Sequence, residues 1–574
     1  MKNKIFTHRF LYFFLLFITI LFIAKAFISS AISLQDEMHY IATSLRFYDG
    51  DAFLVDDWSP EQLNGFLLLP FVALYKIIFR TTNGIVLYFR LLHIFIKLLI
   101  TLYSFYRLSR KEMLNIFTAS CGLIYYCFTP YNIDALSYNT IPLSMIYMIF
   151  IILLTDSFSK KDYFICGILM AIATLSQPFL SILYFMCIPA CIIYSIYSSH
   201  ENNPVPILYI KNFILFTLGI CALAFVFLIF IFSRSTLLEL VQNIPFIFAE
   251  PDHNIASVNI IAVLGEKLSN IFSSFWSFNH GLIAGINLLC IVTIFLGNIL
   301  HKKYIPFIIS ILSLLISCLT NLIFQSDFSM NVIYIPFVWF CIEQFLLVSQ
   351  QRIKYFFILS ICTIYTICTA LGTNTGILST SASMCIFSIF SLILLSDNVF
   401  SLHSTPTTIR FGYATALFSF FVTFLLHLLI VWTDFYNPTD YTCLLKKGPL
   451  KWTFAREDLY IQYTNIINVL DIIDYTENDI LFCGTSTPTA YLYADVEFGT
   501  MGTPFFYLDY ARLSNYLALH PEKVPTVIYY EELSGTNEEK IFLDHIMQNY
   551  NILSTPKGFL AVKLSSNRSI VTFY

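Results

Sequence analysis

Residues 9–40 read RFLYFFLLFITILFIAKAFISSAISLQDEMHY. From Arg9 to Ser30 the only charge after the first residue is Lys25, and the run exceeds the roughly 20 residues that a helix needs to cross a bilayer core of about 30 Å. The apolar core of a secretory signal runs only about 7–15 residues. The segment therefore predicts a retained first span. Directly beyond it the chain turns polar, with Gln35-Asp36-Glu37-Met38-His39-Tyr40 followed by Arg46, Gly50-Asp51 and Asp56-Asp57-Trp58-Ser59-Pro60-Glu61-Gln62. Carboxylates at a membrane surface must be solvated or paired, because burying them alone is costly. A dense acidic loop next to an apolar anchor is thus either a solvated loop or a built site.

The rest of the chain has the same two-sided character. Of its 574 residues, 57% are hydrophobic and 12% charged, against about 25% charged in soluble domains. This excludes a soluble globular protein, a disordered scaffold and a small disulfide-stapled domain. The net charge of −4 excludes a basic nucleic-acid binder. Thirteen spans are predicted: 9–30, 85–108, 112–130, 138–155, 163–177, 178–198, 211–233, 281–300, 304–324, 330–348, 353–371, 378–396 and 410–432. Most of the fourteen cysteines fall inside these runs, where they act as small hydrophobes. The tail from 433 is richer in charge, mostly acidic, and its short apolar runs alternate with an amphipathic and a charged helical pattern. It reads as a small α/β domain.

Sidedness follows from Lys and Arg in short loops, which stay on the cytoplasmic side. With the N-terminus inside, fourteen basic residues, among them Arg107, Arg110, Lys111, Lys160, Lys161, Arg352 and Lys354, lie on the cytoplasmic side. Arg46, Lys76, Arg80, Arg234 and Lys267 lie opposite. The expectation is a multi-pass cell-membrane protein with a cytoplasmic N-terminus, an exterior first loop at 31–84 and an extracytoplasmic tail at 433–574. It requires 64–79 to be a surface-lying or re-entrant helix, since reading it as a span would invert every later loop.

If 36–47 is helical, Asp36, His39 and Tyr40 share a face at i, i+3 and i+4. A carboxylate beside an imidazole is a workable general-base arrangement. In the second span Arg90, His93 and Lys97 form one stripe at i, i+3 and i+7, and Lys25 sits in the upper part of the first. Ionisable groups inside spans usually face a cavity or a partner, and this stripe suits a lipid phosphate. The plainer alternative is that Arg90 snorkels to the headgroups and Lys97 pairs within the bundle.

With the Asp36-Glu37 pair, Gly50-Asp51 and Phe89-Arg90-Leu91 opening the second span, the chain resembles the GT-C superfamily of integral-membrane glycosyltransferases. Within it, the resemblance is to the branch of protein O-mannosyltransferases and aminoarabinose transferases. It spans roughly residues 9–200. It implies a GT-C-like helical domain over 1–432 with a catalytic first exterior loop. It also implies transfer of a sugar from a polyprenyl-phosphate-linked donor to an extracytoplasmic acceptor hydroxyl on a glycan, protein or lipid. Asp36 would be the base, with Glu37 orienting the acceptor or joining Asp36 on Mg²⁺ or Mn²⁺. His39, Tyr40, Arg46, Arg90, His93 and Lys25 would bind substrate. The branch's Lys-Pro-Pro-like stretch is replaced by Ser59-Pro60-Glu61-Gln62-Leu63-Asn64-Gly65, which leaves open the basic residue that meets the donor phosphate, and metal use is open as well. Two other classes stay in play: a transporter or flippase for lipid-linked saccharides, and a polymerase or ligase acting on them.

Overall fold

The computed structural model describes residues 2–29, 35–110, 113–155, 159–197, 208–247, 330–347, 352–372, 380–401, 406–431, 434–484, 488–503, 510–531, 537–555 and 558–564, with isolated helical positions between 265 and 292. Fourteen helices precede the tail among these residues: α1 (Lys2–Ala26), α2 (Gln35–Asp49), α3 (Leu63–Phe79), α4 (Ile85–Arg110), α5 (Ile116–Cys127), α6 (Thr140–Leu154), α7 (Lys160–Ser176), α8 (Ser181–Tyr197), α9 (Ile210–Phe232), α10 (Leu237–Ile247), α11 (Met330–Leu347), α12 (Arg352–Leu371), α13 (Ser381–Ser401) and α14 (Pro406–Leu429). Helices coincide with the predicted spans wherever those are described; the span at 304–324 lies outside the described residues, as does that at 281–300 apart from helical positions at 285, 288 and 292. Among the described residues, six helices are long and apolar enough to cross a membrane: Arg9–Ala26, Ile85–Arg110, Ile210–Phe232, Arg352–Leu371, Ser381–Phe400 and Ile409–Leu429.

Several of the others are shorter than the apolar runs suggested, and the reason is local. α5 starts only at the reciprocal cap between Asn115 and Thr118, and the chain leaves the helix at Phe128 because Pro130 follows. Its 12 residues reach about 18 Å, too short to span alone, and they are buried against α4, α13 and α14. α13 is the most enclosed of the six long helices. The hydroxyls of Ser383, Ser388 and Ser391 bond back to carbonyls three residues earlier, so they are satisfied inside an apolar bundle.

α7 and α9 cross with their backbones in near contact. A Cβ on Gly167 would stand 1.9 Å from the Phe216 carbonyl oxygen, and one on Gly219 would stand 2.1 Å from that of Phe164. Small residues at such crossings let helices pack where the hydrophobic effect gives no preference for helix over lipid. Gly167→Leu is expected to part the two helices and lower the thermal midpoint of detergent-purified protein by several degrees. Gly372→Ala, where the added carbon meets nothing closer than 3.5 Å, should leave the midpoint unchanged.

The tail begins with short pairings: β2 (Ile430–Val431) with β3 (Asp434–Phe435), and β4 (Cys443–Leu444) with β5 (Phe454–Ala455). Then come α15 (Glu457–Leu470), β6 (Ile480–Gly484), α16 (Thr489–Ala494), β7 (Glu497–Phe498), α17 (Tyr510–Leu519), β8 (Val527–Glu531), α18 (Asn537–Asn549), β9 (Tyr550–Thr555) and β10 (Gly558–Lys563). The main sheet has the order β7-β6-β8-β10-β9; β6 is parallel to both neighbours and β10 antiparallel to both of its own. β6, β8 and β10 are buried nearly throughout, without alternation, as expected of strands covered on both faces. The α/β tail is therefore as the sequence predicts.

The tail is not hung on a free linker. β1 (Ile28–Ser29), just past α1, pairs in parallel with β5. The Gly84 and Val86 amides, at the start of α4, donate to the carbonyls of Gly448 and Pro449. Met38, Tyr40, Ile41 and Leu45 of α2 share one core with Leu450, Tyr463, Tyr491 and Phe498 of the tail. α3 seals the other flank of α2, where Gly65 lets the Phe47 ring approach to within 2.9 Å of where a Cβ would sit.

Candidate functional site

α2 begins at Gln35, so Asp36 lies in its first turn; the Asp36 side chain is outside the described residues. Glu37 is 2% exposed and Arg90 4%. The carboxylate of Glu37 accepts from Nε of Arg90 at 2.7 Å and from its Nη2 at 2.8 Å, while Nη1 donates to the carbonyls of Ala26 and Ile28. This bidentate pair ties the start of α2 to α4 and to the end of α1. A buried pair of this kind contributes mainly through what its rupture would cost, because either partner alone is a stranded charge.

Deeper along α4, the same helical stripe carries His93 and Lys97 into a second cluster. Lys25 of α1 lies 3.0 Å from Asp134 and 3.0 Å from Oδ1 of Asn132, and it also donates to the His427 carbonyl of α14. Lys97 donates to the Phe128 carbonyl at 2.6 Å and to Thr129 Oγ1 at 3.1 Å. Asn132 and Asp134 are delivered by the α5–α6 connection, whose Tyr131 (φ 53°) and Asn132 (φ 57°) are both left-handed. That conformation costs roughly 1–2 kcal/mol per residue. Its use twice in succession, beside a half-buried carboxylate, marks the turn as built for its side chains.

Charge decides what the cluster can hold. Asp134 balances one of the two ammonium groups, and Arg90 and Glu37 cancel each other. Among the described residues, one buried cation is left over, with a carbonyl and a hydroxyl as its hydrogen-bond partners. His93 faces the Asp134 backbone, but neither ring nitrogen completes a hydrogen bond among the described residues; Nε2 of His427 and Nδ2 of Asn132 are likewise open. Burial pushes the Asp134 carboxyl up, but Lys25, with His93 and Lys97, outweighs this and holds it at about 2. Surplus positive charge and idle polar atoms in one enclosed place suit an anion.

The remaining predicted residues are spread along α2. His39 stands 3.3 Å from Glu61 and 3.4 Å from Thr43, and its ring lies against Tyr40, which in turn meets Tyr138. Thr43 meets Thr503 of the tail at 3.0 Å. Arg46, about 15 Å along the helix from Asp36, is fully buried and turned toward the tail. It donates to Asp51 and the Asp56 carbonyl, to the Thr500 carbonyl at 2.6 Å and to the Tyr516 hydroxyl at 3.1 Å, with Asp57 at 3.8 Å. Burial works against its charge, but Asp51, with Tyr516 and Asp57, outweighs it and pushes the guanidinium above its ordinary value. Burial raises the Asp57 carboxyl, with Arg46 pulling the other way.

The structure therefore brings Lys25 and His93 together, pairs Glu37 with Arg90, sets His39 beside Tyr40, and places Arg46 in a different network. Sequence reasoning passed over Asp134, Asn132 and His427. A signal for the first was present, since Asp134 is the single Asp, Glu, Lys or Arg from Met113 to Thr155.

Neither a family model nor a curated relative matches the chain. Among solved structures it is similar to the archaeal oligosaccharyltransferase AglB from Archaeoglobus fulgidus in complex with an inhibitory peptide and a dolichol-phosphate, at 11% identity and a TM-score of 0.45, covering 99% of this chain and 75% of that one. The same organism's oligosaccharyltransferase tethered with an acceptor peptide matches at 10% identity and a TM-score of 0.44, and its apo form at 11% and 0.45, each over 97% of this chain and 75% of that one. Likeness of this order assigns no residue a role, and the functional reading rests on the side chains themselves.

Proposed function

We propose that this chain is a membrane-embedded glycosyltransferase that takes a sugar from a polyprenyl-phosphate-linked donor and passes it to an extracytoplasmic acceptor hydroxyl on a glycan, protein or lipid. The observation that carries the reading is the surplus buried cation of the Lys25–Asp134–Lys97 cluster, lying along the same helix as the pair that anchors the start of α2. A sugar joined through C1 to a phosphate already has a good leaving group. The enzyme must supply positive charge for the departing phosphate and a base for the acceptor hydroxyl. Lys25, Lys97 and His93 take the first role, and Asp36 the second. Glu37 and Arg90 position α2 over the cluster. Whether Asp36 works with Mg²⁺ or Mn²⁺ is a separate matter that the same assay reads by chelation.

The sidedness expected from the basic residues fits this reading. Arg107, near the far end of α4, bonds Asp162 and Thr155, whereas the near end of α4 carries the tail. The first loop and the tail thus share one end of the bundle, opposite the basic cluster.

Lys97 lies near the middle of α4, a depth that also suits a transporter or flippase for lipid-linked saccharides. One experiment separates the two. Purified protein in proteoliposomes is given labelled polyprenyl-phosphate sugars with and without acceptor extract. The enzyme reading expects label on an acceptor or released by water; transbilayer movement of intact donor without transfer would replace it with the flippase.

The charge ledger also makes an unusual stability prediction. Lys25→Met takes from Asp134 the ammonium that touches it at 3.0 Å and should lower the thermal midpoint. Lys97→Met removes an unbalanced cation and should leave the midpoint unchanged or raise it. A midpoint lowered as much by Lys97→Met as by Lys25→Met would show that Lys97 is balanced after all.

A further inference from the structure

The loop after α2, the end of α10 and the turn after α17 meet at a place that the proposed chemistry does not use. His520 and Glu522 come from the tail, Asp56 from the first loop, and one ligand atom from each lies within 4.8 Å of the others. Nδ1 of His520 is 3.6 Å from Oδ1 of Asp56 and 3.4 Å from Oε1 of Glu522. His520 is 8% exposed in its side chain and Asp56 15%, while Glu522, at 62%, opens the place to solvent.

The tautomer of His520 is set by its other nitrogen. Oδ1 of Asn243 accepts from the indole Nε1 of Trp58 at 3.0 Å. An indole only donates, so the atom facing it must be the oxygen. Nδ2 of Asn243 is spent on the Glu239 carbonyl, consistent with that assignment. Nε2 of His520 lies 3.1 Å from the same oxygen and must therefore carry a proton. That leaves Nδ1 as the ring nitrogen that faces the two carboxylates. An imidazole nitrogen and two carboxylate oxygens, drawn together from the tail and the first loop, form a donor set of the kind that holds a divalent transition metal.

We infer that Asp56, His520 and Glu522 form a divalent transition-metal site, of the zinc class, that clamps the first loop to the tail. Two ligands about 2.1 Å from a tetrahedral Zn²⁺ stand roughly 3.4 Å apart, close to the 3.6 and 3.4 Å that separate Nδ1 of His520 from the two carboxylates. The outer shell is in place as well. Asn243 orients the imidazole, and the Ala52 amide donates to Oδ2 of Asp56 at 2.6 Å, leaving Oδ1 for the ion. Three protein ligands leave a fourth position for water through the Glu522 side. The site is apart from Asp36 and Glu37, so it holds whether or not those carboxylates take a cation.

The test uses full-length protein in detergent, stripped with a chelator and titrated with Zn²⁺ alone. Binding is followed by calorimetry, and the thermal midpoint by intrinsic fluorescence. Wild type should take up one Zn²⁺ with a raised midpoint. Glu522→Gln, an exposed change that should fold normally, should weaken binding at least tenfold, and His520→Gln should abolish both binding and the shift. A wild type without a Zn²⁺-dependent shift, or an uptake and shift retained in Glu522→Gln and His520→Gln, would overturn the inference.

Discussion

Asp36→Asn is expected to lower sugar transfer by about 10²–10⁴-fold, the usual contribution of a positioned acid or base, with the protein still folded and still binding donor. Asn keeps the shape and loses the proton acceptor. KM for the lipid-linked donor should change little while kcat falls, because the residue is assigned to the acceptor hydroxyl. The adjacent Glu37→Gln should behave differently. It leaves Arg90 buried with half its partners, so the expected loss is of folded protein rather than of kcat alone. Unchanged turnover by Asp36→Asn would remove it as the base. Steady-state rates on an acceptor extract, with circular dichroism as the folding control, read both outcomes.

The largest stability effect is expected from Arg46→Met. The guanidinium is enclosed by Asp51 and Asp57 and binds the backbone carbonyls of Asp56 and Thr500. Its removal takes one cation away from two buried carboxylates, and breaking one buried pair already costs about 3–5 kcal/mol. Asp51 would keep Lys523, which also bonds Glu497 at 2.6 Å, so the damage should centre on Asp57 and on the contact between α2 and the tail. The measurable result is loss of the folded peak in size-exclusion chromatography, or limited proteolysis that separates the tail from the membrane bundle. A variant that resists protease as well as wild type would show that the network adds little. Arg46→Lys should recover only part, since an ammonium cannot reproduce the fork that meets a carboxylate and two carbonyls together.

The helical body was legible because apolar runs of span length have few other physical solutions. The stripe of Arg90, His93 and Lys97 was legible for a related reason: helical spacing puts those residues on one face whatever the neighbours are. What packs against that face was not legible. Arg90 meets Glu37 and backbone carbonyls, whereas His93 and Lys97 continue into a cluster completed by a loop carboxylate and a residue of α14. Such partners are set by tertiary packing, which leaves no local periodicity. The acidic loop shows the same limit from the other side. Asp51 and Asp57 read equally well as solvated carboxylates until a tail some 440 residues away covers them and Arg46 and Lys523 neutralise them. Spans over-reached where polar caps and prolines end helices early, as at Asn115 and Pro130.

The surplus cation beneath α2 is proposed to hold the phosphate of a lipid. A tritiated short-chain polyprenyl phosphate, titrated against purified wild type and Lys97→Met in the same detergent, tests it without requiring the sugar or the acceptor to be known. Saturable one-to-one binding to wild type is expected, with at least tenfold weaker binding to Lys97→Met, whose thermal midpoint is no lower. Equal affinity in the two proteins, or no saturable binding to either, would contradict it.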